Sequence, residues 1–163
     1  MNELPDRVRR AFASHAAFEP RGEGTFESTS TPFAGRVDAA AADDGHTEFS
    51  IRVTVPLLDA VTEDAVAPVV EDGWYETFER RVVDIGGIFR TERDLEPTVT
   101  RRADAVVVET RFSDRNERRG VDDAAAVVDF VEGTFAQGII PGYEYTEPVT
   151  DILSQARRTA GGE

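Results

Sequence analysis

The chain has 163 residues, no cysteine, and 32 acidic against 18 basic side chains, for a formal net charge of −14. That length suits a single domain, residues 1–163 with a core over about 3–158, burying roughly 70% of the surface the unfolded chain exposes. Disulfides, zinc–thiolate sites and cysteine nucleophiles are excluded.

No apolar run approaches the ~20 residues of a membrane span, and Met1 to Arg10 is charged and amphipathic rather than a secretory leader, so a cytoplasmic location is expected. Every basic residue is arginine. An acidic surface without lysine stems reads as halophilic, because molar salt shortens the Debye length to about 3 Å and removes most of the self-repulsion. A GC-rich genome would also favour arginine over lysine. A basic partner is the other reading of the acidity.

In chain order, a first helix is expected from Asn2 as N-cap, with Pro5 in its first turn and Leu4, Val8, Phe12 and Ala16 as its apolar stripe. Strands follow over Thr25 to Ser30 and Phe33 to Ala41. Asp43-Asp44-Gly45 is a turn in which Gly45 takes the positive φ. In the next strand Phe49, Ile51, Val53 and Val55 alternate with polar residues, the pattern of an antiparallel sheet wet on one face.

A second helix is expected over Pro68 to Ile85, with Val70, Trp74, Phe78, Val82 and Ile85 inward and Gly86-Gly87 as its stop. A hairpin is expected next, Pro97 to Arg101 and Ala105 to Phe112. The polar segment Ser113 to Gly120 leads into a helix over Asp122 to Gln137. Thr146 caps a last helix, with Pro148 in its first turn and Val149, Ile152, Leu153 and Ala156 inward. The sum is an α+β fold, a five-stranded antiparallel sheet with helices on one face, in the order α-β-β-β-α-β-β-α-α.

This order resembles that of type III secretion chaperones and the related bacterial sensory-transduction regulators, which implies a homodimer or a peptide-binding groove. No residue motif of those proteins is present. Leu4 to Phe12, Val66 to Trp74 and Gln137 to Tyr143 resemble a conserved haloarchaeal family of unknown function. That likeness implies no activity, cofactor or catalytic residue.

The chemistry-bearing residues are sparse. His15 falls at the edge of the first helix's stripe. His46, with Asp43 and Asp44, offers three metal-ligand types, although a tight turn seldom turns all three inward. No serine sits in a nucleophile elbow, and Ile139 and Ile140 occupy the lysine and hydroxyl positions a P-loop would need after Gly133 and Gly138. Arg111, Arg115, Arg118 and Arg119 form a basic stretch, but Asp114 and Glu117 interrupt it and high salt weakens phosphate contacts, so nucleic acid is not expected. No catalytic, cofactor or metal residues are assigned.

The feature left over is Gly138 to Tyr145, an interhelical connection carrying Ile139, Ile140, Tyr143 and Tyr145 between glycines and proline. Either these side chains tuck against the sheet or they form an apolar-aromatic patch for a partner, with Trp74 and Tyr75 beside it. The expectation is a non-enzymatic protein- or peptide-binding or regulatory module. The alternative is a small-molecule binder or carboxylate-based hydrolase with a pocket between sheet and helices.

Overall fold

Alternating apolar and polar positions dominate the strands, and the fold follows from turning their apolar faces the same way. A computed structural model describes residues 4–85, 89, 93 and 95–154. The elements are α1 (Asp6–Ala13), β1 (Phe18–Gly22), β2 (Thr25–Ser28), β3 (Ala34–Ala41), β4 (Thr47–Pro56), α2 (Pro68–Val82), β5 (Thr98–Arg101), β6 (Ala105–Asp114) and α3 (Glu117–Gln137). A further helix, α4, covers 149–154.

Among the described residues the strands make one six-stranded sheet in the order β1-β2-β3-β4-β6-β5, with every neighbouring pair antiparallel. Phe49, Ile51, Val53 and Val55 stand opposite Phe112, Thr110, Val108 and Val106. All eight are buried on the helical side. The other face is charged. Glu19, Glu27, Arg36, Arg52, Glu109 and Thr98 are successive cross-strand neighbours from one edge to the other, and Arg52 pairs with Glu109 at 2.9 Å.

The helices cover the apolar face. α1 contributes Val8, Ala11 and Phe12, and the Phe12 ring stacks on Phe26 with centroids 3.8 Å apart. α2 contributes Trp74, Phe78 and Val82. α3 crosses the middle of the sheet, burying Val121, Ala124, Val127, Val128, Val131 and Phe135. Each large apolar side chain so buried is worth roughly 1.5–3 kcal/mol. α3 lies close because Gly120 has no side chain, since a Cβ there would stand 2.4 Å from the Phe49 ring.

The sheet has six strands rather than the five expected from sequence. The added strand, β1, contains Pro20 and Gly22, which argue against a strand except at an edge, and β1 is an edge strand. The order is accordingly α-β-β-β-β-α-β-β-α-α. α1 ends at Ala13, so Ala16 is exposed rather than part of the stripe. α2 ends at Val82, yet Ile85 beyond it is still buried. α3 begins at Glu117 rather than Asp122, because Asn116 caps it by accepting from Arg119 N at 2.9 Å. Gly45 has the expected positive φ, and Asp44 shares it. At α4 it is the Thr146 carbonyl that accepts from Val149 N, at 3.0 Å. Val149 and Ile152 are buried. Asn2, Gly86-Gly87 and Ala156 lie outside the described residues.

A buried ionic network joins the end of β6 to the start of α3. Asp114, 6% exposed, accepts from Asn116 N at 2.8 Å and from Arg119 Nε and Nη2 at 2.7 Å each. Arg93 also pairs with Asp114, places its Nε 2.7 Å from Asp123, and lies with its guanidinium 4.2 Å from the Phe112 ring centroid. Burial alone would raise the Asp114 pKa. The hydrogen bonds from Arg119, Asn116 and Arg93 outweigh burial and hold the carboxyl far below the usual carboxylate range.

Gly120→Ala should cost about 1–3 kcal/mol in denaturant unfolding, because Phe49 is fully buried and cannot withdraw. Gly133→Ala, in the same helix with nothing within 4 Å of the added carbon, should leave stability unchanged or raise it by up to about 1 kcal/mol. Asp114→Asn should cost about 1–3 kcal/mol, from weakened charge-assisted hydrogen bonds, because Arg93 keeps Asp123 as a partner and Arg119 can turn to water. Because the folded pKa is depressed, the Asp114 contribution is complete above the unfolded value of ~3.9 and is lost as pH falls toward the folded value. Unfolding measured from about pH 5 to 2 should therefore fall less steeply in Asp114→Asn than in the parent. Equal slopes would remove Asp114 from this role.

Candidate functional site

The connection from α3 to α4 is held at three points. Gly138 ends α3, its N–H reaching the carbonyls of Thr134 and Phe135 at 3.2 and 3.1 Å. Gly142 turns the chain with φ +100°. Tyr145 then forms a β-bridge with Thr62, flanked by Glu63 N donating to Glu144 O at 2.9 Å and Thr146 N donating to Val61 O at 2.8 Å. The Tyr145 hydroxyl closes the loop on itself, donating to Ile140 O at 2.6 Å and accepting from Ile140 N at 3.1 Å. Burial, the largest influence on it, raises the Tyr145 pKa. These bonds satisfy backbone groups that a loop of this composition would otherwise leave unpaired.

Within this frame Ile139, Ile140, Tyr143 and Tyr145 are half-buried and rest on the core. With Thr150 and Leu153 of α4 they line a groove of about 500 Å³. A second groove, about 370 Å³, lies between α2 and the end of α3 and is lined by Val69, Val70, Trp74 and Gly138. Ile140 belongs to both. Val69 is 77% exposed. Trp74 is a core residue at 4% exposure, stacked on Phe78 and edge-on to Phe135. Its Nε1 is buried without a hydrogen-bond partner, and so is Thr150 Oγ1.

Five of the six residues singled out from sequence therefore surround these two grooves, and Tyr75 does not. Although it follows Trp74, Tyr75 sits under Arg101, whose guanidinium is 5.3 Å from its ring, and its hydroxyl donates to Glu79 at 3.3 Å. Burial, with the neighbouring Glu79, raises its pKa. Val69 and Leu153 were not singled out. Val69 lies off the α2 stripe, which is the signal that it faces outward, but one valine off a stripe is unremarkable by itself.

In sequence Glu144 and Asp151 adjoin lining residues of the first groove, whereas the second has Arg81 in its wall. Glu63 and Glu144 are brought side by side by the backbone bridge, and the hydrogen bond between their side chains raises the Glu63 pKa, their mutual repulsion adding to it. Glu147 and Asp151, four apart at the entry to α4, do the same, with the hydrogen bond to Asp151 raising Glu147.

The remaining candidate groups are engaged locally. His15 Nδ1 accepts from Ala17 N at 3.2 Å, which leaves its Nε2 to donate to Asp122, 3.1 Å away. His46 turns back on the Asp43 carbonyl at 3.1 Å. Among the described residues no three His, Asp or Glu side chains converge as metal ligands would. Arg119 of the basic stretch is bound to Asp114. No helix among these residues is long and apolar enough to cross a membrane.

A family model described as a family of unknown function (DUF5813) matches residues 13–155, and the chain belongs to that family. No curated protein matches the chain. No solved structure matches it either, so the likeness to secretion chaperones stands on element order alone.

Proposed function

We propose that this member of the family is a non-enzymatic binding or regulatory module that takes a protein or peptide segment into the paired grooves around Ile140, in a salt-rich cytoplasm. The observation that carries this reading is the grooves' composition. Ile139, Ile140, Tyr143, Leu153, Val69 and Val70 gather apolar surface at the outside of the molecule, on a loop braced by its own hydrogen bonds. Preorganised apolar surface costs little ordering entropy when a partner docks.

A pocket between sheet and helices, which the hydrolase alternative needs, has little support. The facing residues of that layer, Phe49, Ile51, Val53, Val106, Val127, Val128 and Phe135, are at most 2% exposed and pack on one another. The buried carboxylate Asp114 is bound by two arginines and stabilised as an anion, which suits it poorly to acid–base work near neutral pH.

Ile140→Asp/Tyr143→Ala should remain folded by circular dichroism and lose its partner in affinity capture at molar potassium chloride. Capture of the same partner at the same yield would sink the assignment. Salt dependence is a separate test of the halophilic reading. The thermal midpoint should fall when potassium chloride is reduced from molar levels to ~0.1 M, where the Debye length reaches about 10 Å and the net charge of −14 repels itself. A midpoint that ignores salt would overturn it. A homodimer belongs to the same proposal, and sedimentation at molar salt distinguishes one copy from two.

A further inference from the structure

Resting on that reading of the grooves, we propose that the segment taken by the second one carries an acidic side chain. That carboxylate binds Arg81, and apolar neighbours in the same extended segment seat on Val69, Val70 and Ile140. Arg81 thereby determines which partners fit.

Val69, Gly73, Thr77 and Arg81 of the groove wall follow at intervals of four and so form one row along α2. At 1.5 Å per residue the row is about 18 Å long. Gln137, Gly138 and Ile140, from the end of α3 and the loop beyond it, complete the wall. A groove of about 370 Å³ drawn out over that length has room for one row of side chains. It does not admit a whole helix, whose diameter is about 10–12 Å. In the middle of the row is Gly73, where an added Cβ would meet nothing within 4 Å. Neither packing nor a positive φ calls for glycine there, and inside a helix it costs about 1 kcal/mol against alanine. The missing side chain lets a partner's backbone come close to α2.

The row changes character along its length, from valine at the start of α2 to arginine in its last turn. Among the described residues that line the two grooves, Arg81 is the single charged one. It stands there in a chain where acidic side chains outnumber basic ones 32 to 18. Other carboxylates of α2 are engaged elsewhere, Glu71 and Asp72 by Arg101 and Glu79 by the Tyr75 hydroxyl. One turn before Arg81 stands Thr77, so the helix builds in no i,i+4 carboxylate for it. A guanidinium at one end of an apolar groove matches a carboxylate with two parallel hydrogen bonds. In molar salt the Debye length is about 3 Å, which screens long-range repulsion by the net charge of −14 while a contact pair persists. A fatty-acid carboxylate is a poorer occupant than a peptide. The groove is open, with Val69 77% exposed, and would leave much of an acyl chain in water.

The test uses three synthetic peptides and the full chain at a potassium chloride concentration that keeps it folded. Each peptide carries leucine and phenylalanine two residues apart, so that both face one side of an extended chain. The first has glutamate on both sides of this pair and blocked termini. The second has arginine in place of glutamate. The third has glutamine there and a free C-terminal carboxylate. Binding is read by calorimetry and from the fluorescence of Trp74, the chain's single tryptophan, which lines the groove. The glutamate peptide should bind about three- to tenfold more tightly than the arginine peptide, against the sign of the net charge. R81Q should erase this preference and R81E should reverse it, with far-UV circular dichroism unchanged. Equal weakening of both peptides by R81Q would overturn the proposal, since complementing the C-terminal end of α2 would do no more. Gly73→Leu should fill the groove and abolish binding of both. Equal affinity for the glutamate and arginine peptides, both abolished by Ile140→Asp, would overturn the acidic partner and leave the groove reading standing. The glutamine peptide binding as tightly as the glutamate one would overturn the acidic side chain in favour of a chain terminus. Failure of both charged peptides to bind, or binding indifferent to Ile140→Asp and Gly73→Leu, would overturn the groove reading itself. A dimer at molar salt that Gly73→Leu dissociates, with no peptide bound, would overturn the peptide and put a second copy of the chain in the groove.

Discussion

The close seat of α3 on β4 is the contact from which the rest of the molecule is organised. Gly120 lets the helix backbone come down on the Phe49 ring, while at Gly35 on β3 a Cβ would stand 3.0 Å from Ser28 Cβ and only in ordinary contact with Val128 of α3. With α3 at that depth, its buried residues from Val121 to Phe135 lie on the apolar face of the sheet, and α1 and α2 pack against it. Interiors packed to this density have two discrete states, filled or disrupted, rather than a continuum of looser ones. The side chains that face each other across that layer are almost fully buried.

The two ends of α3 do different work. At its start, Asp114, Asn116, Arg119, Arg93 and Asp123 form a closed ionic network. A buried network of this kind adds less to net stability than its bond count implies, because desolvation opposes it. What it does is specify where β6 ends and α3 begins. At the other end, Gly138 passes the chain over Trp74 into the braced loop, where polar groups remain unmet and apolar surface remains open.

How much of this was legible in the sequence depends on whether the governing contacts are local. Strict alternation from Phe49 to Val55 gave the central strand, and the spacing of Val70, Trp74, Phe78 and Val82 gave α2, because each pattern is written within one element. β1 was missed because Pro20 and Gly22 are poor strand residues anywhere but an edge, and edge position is a property of the whole sheet. The start of α3 was misplaced because Gly120 reads as a breaker until Phe49, far away in sequence, explains it. The ionic network joins Arg93 to residues 21 and 30 positions on, a pairing no local pattern carries. The groove residues between Gly138 and Tyr145 stood out by composition, while Val69 on another element, and the separation of Tyr75 from its neighbour Trp74, required the packing.

The two edges of the sheet have a consequence for association, which any exposed strand template invites. β1 carries a proline that cannot donate to an incoming strand, and its register breaks between Pro20 and Gly22. β5 is only four residues long, is preceded by Pro97, and has Arg101 at its end tied to α2. Neither edge offers the long, flat ladder on which foreign strands stack into aggregates. An apolar groove elsewhere on the surface is therefore not compounded by edges open to strand addition.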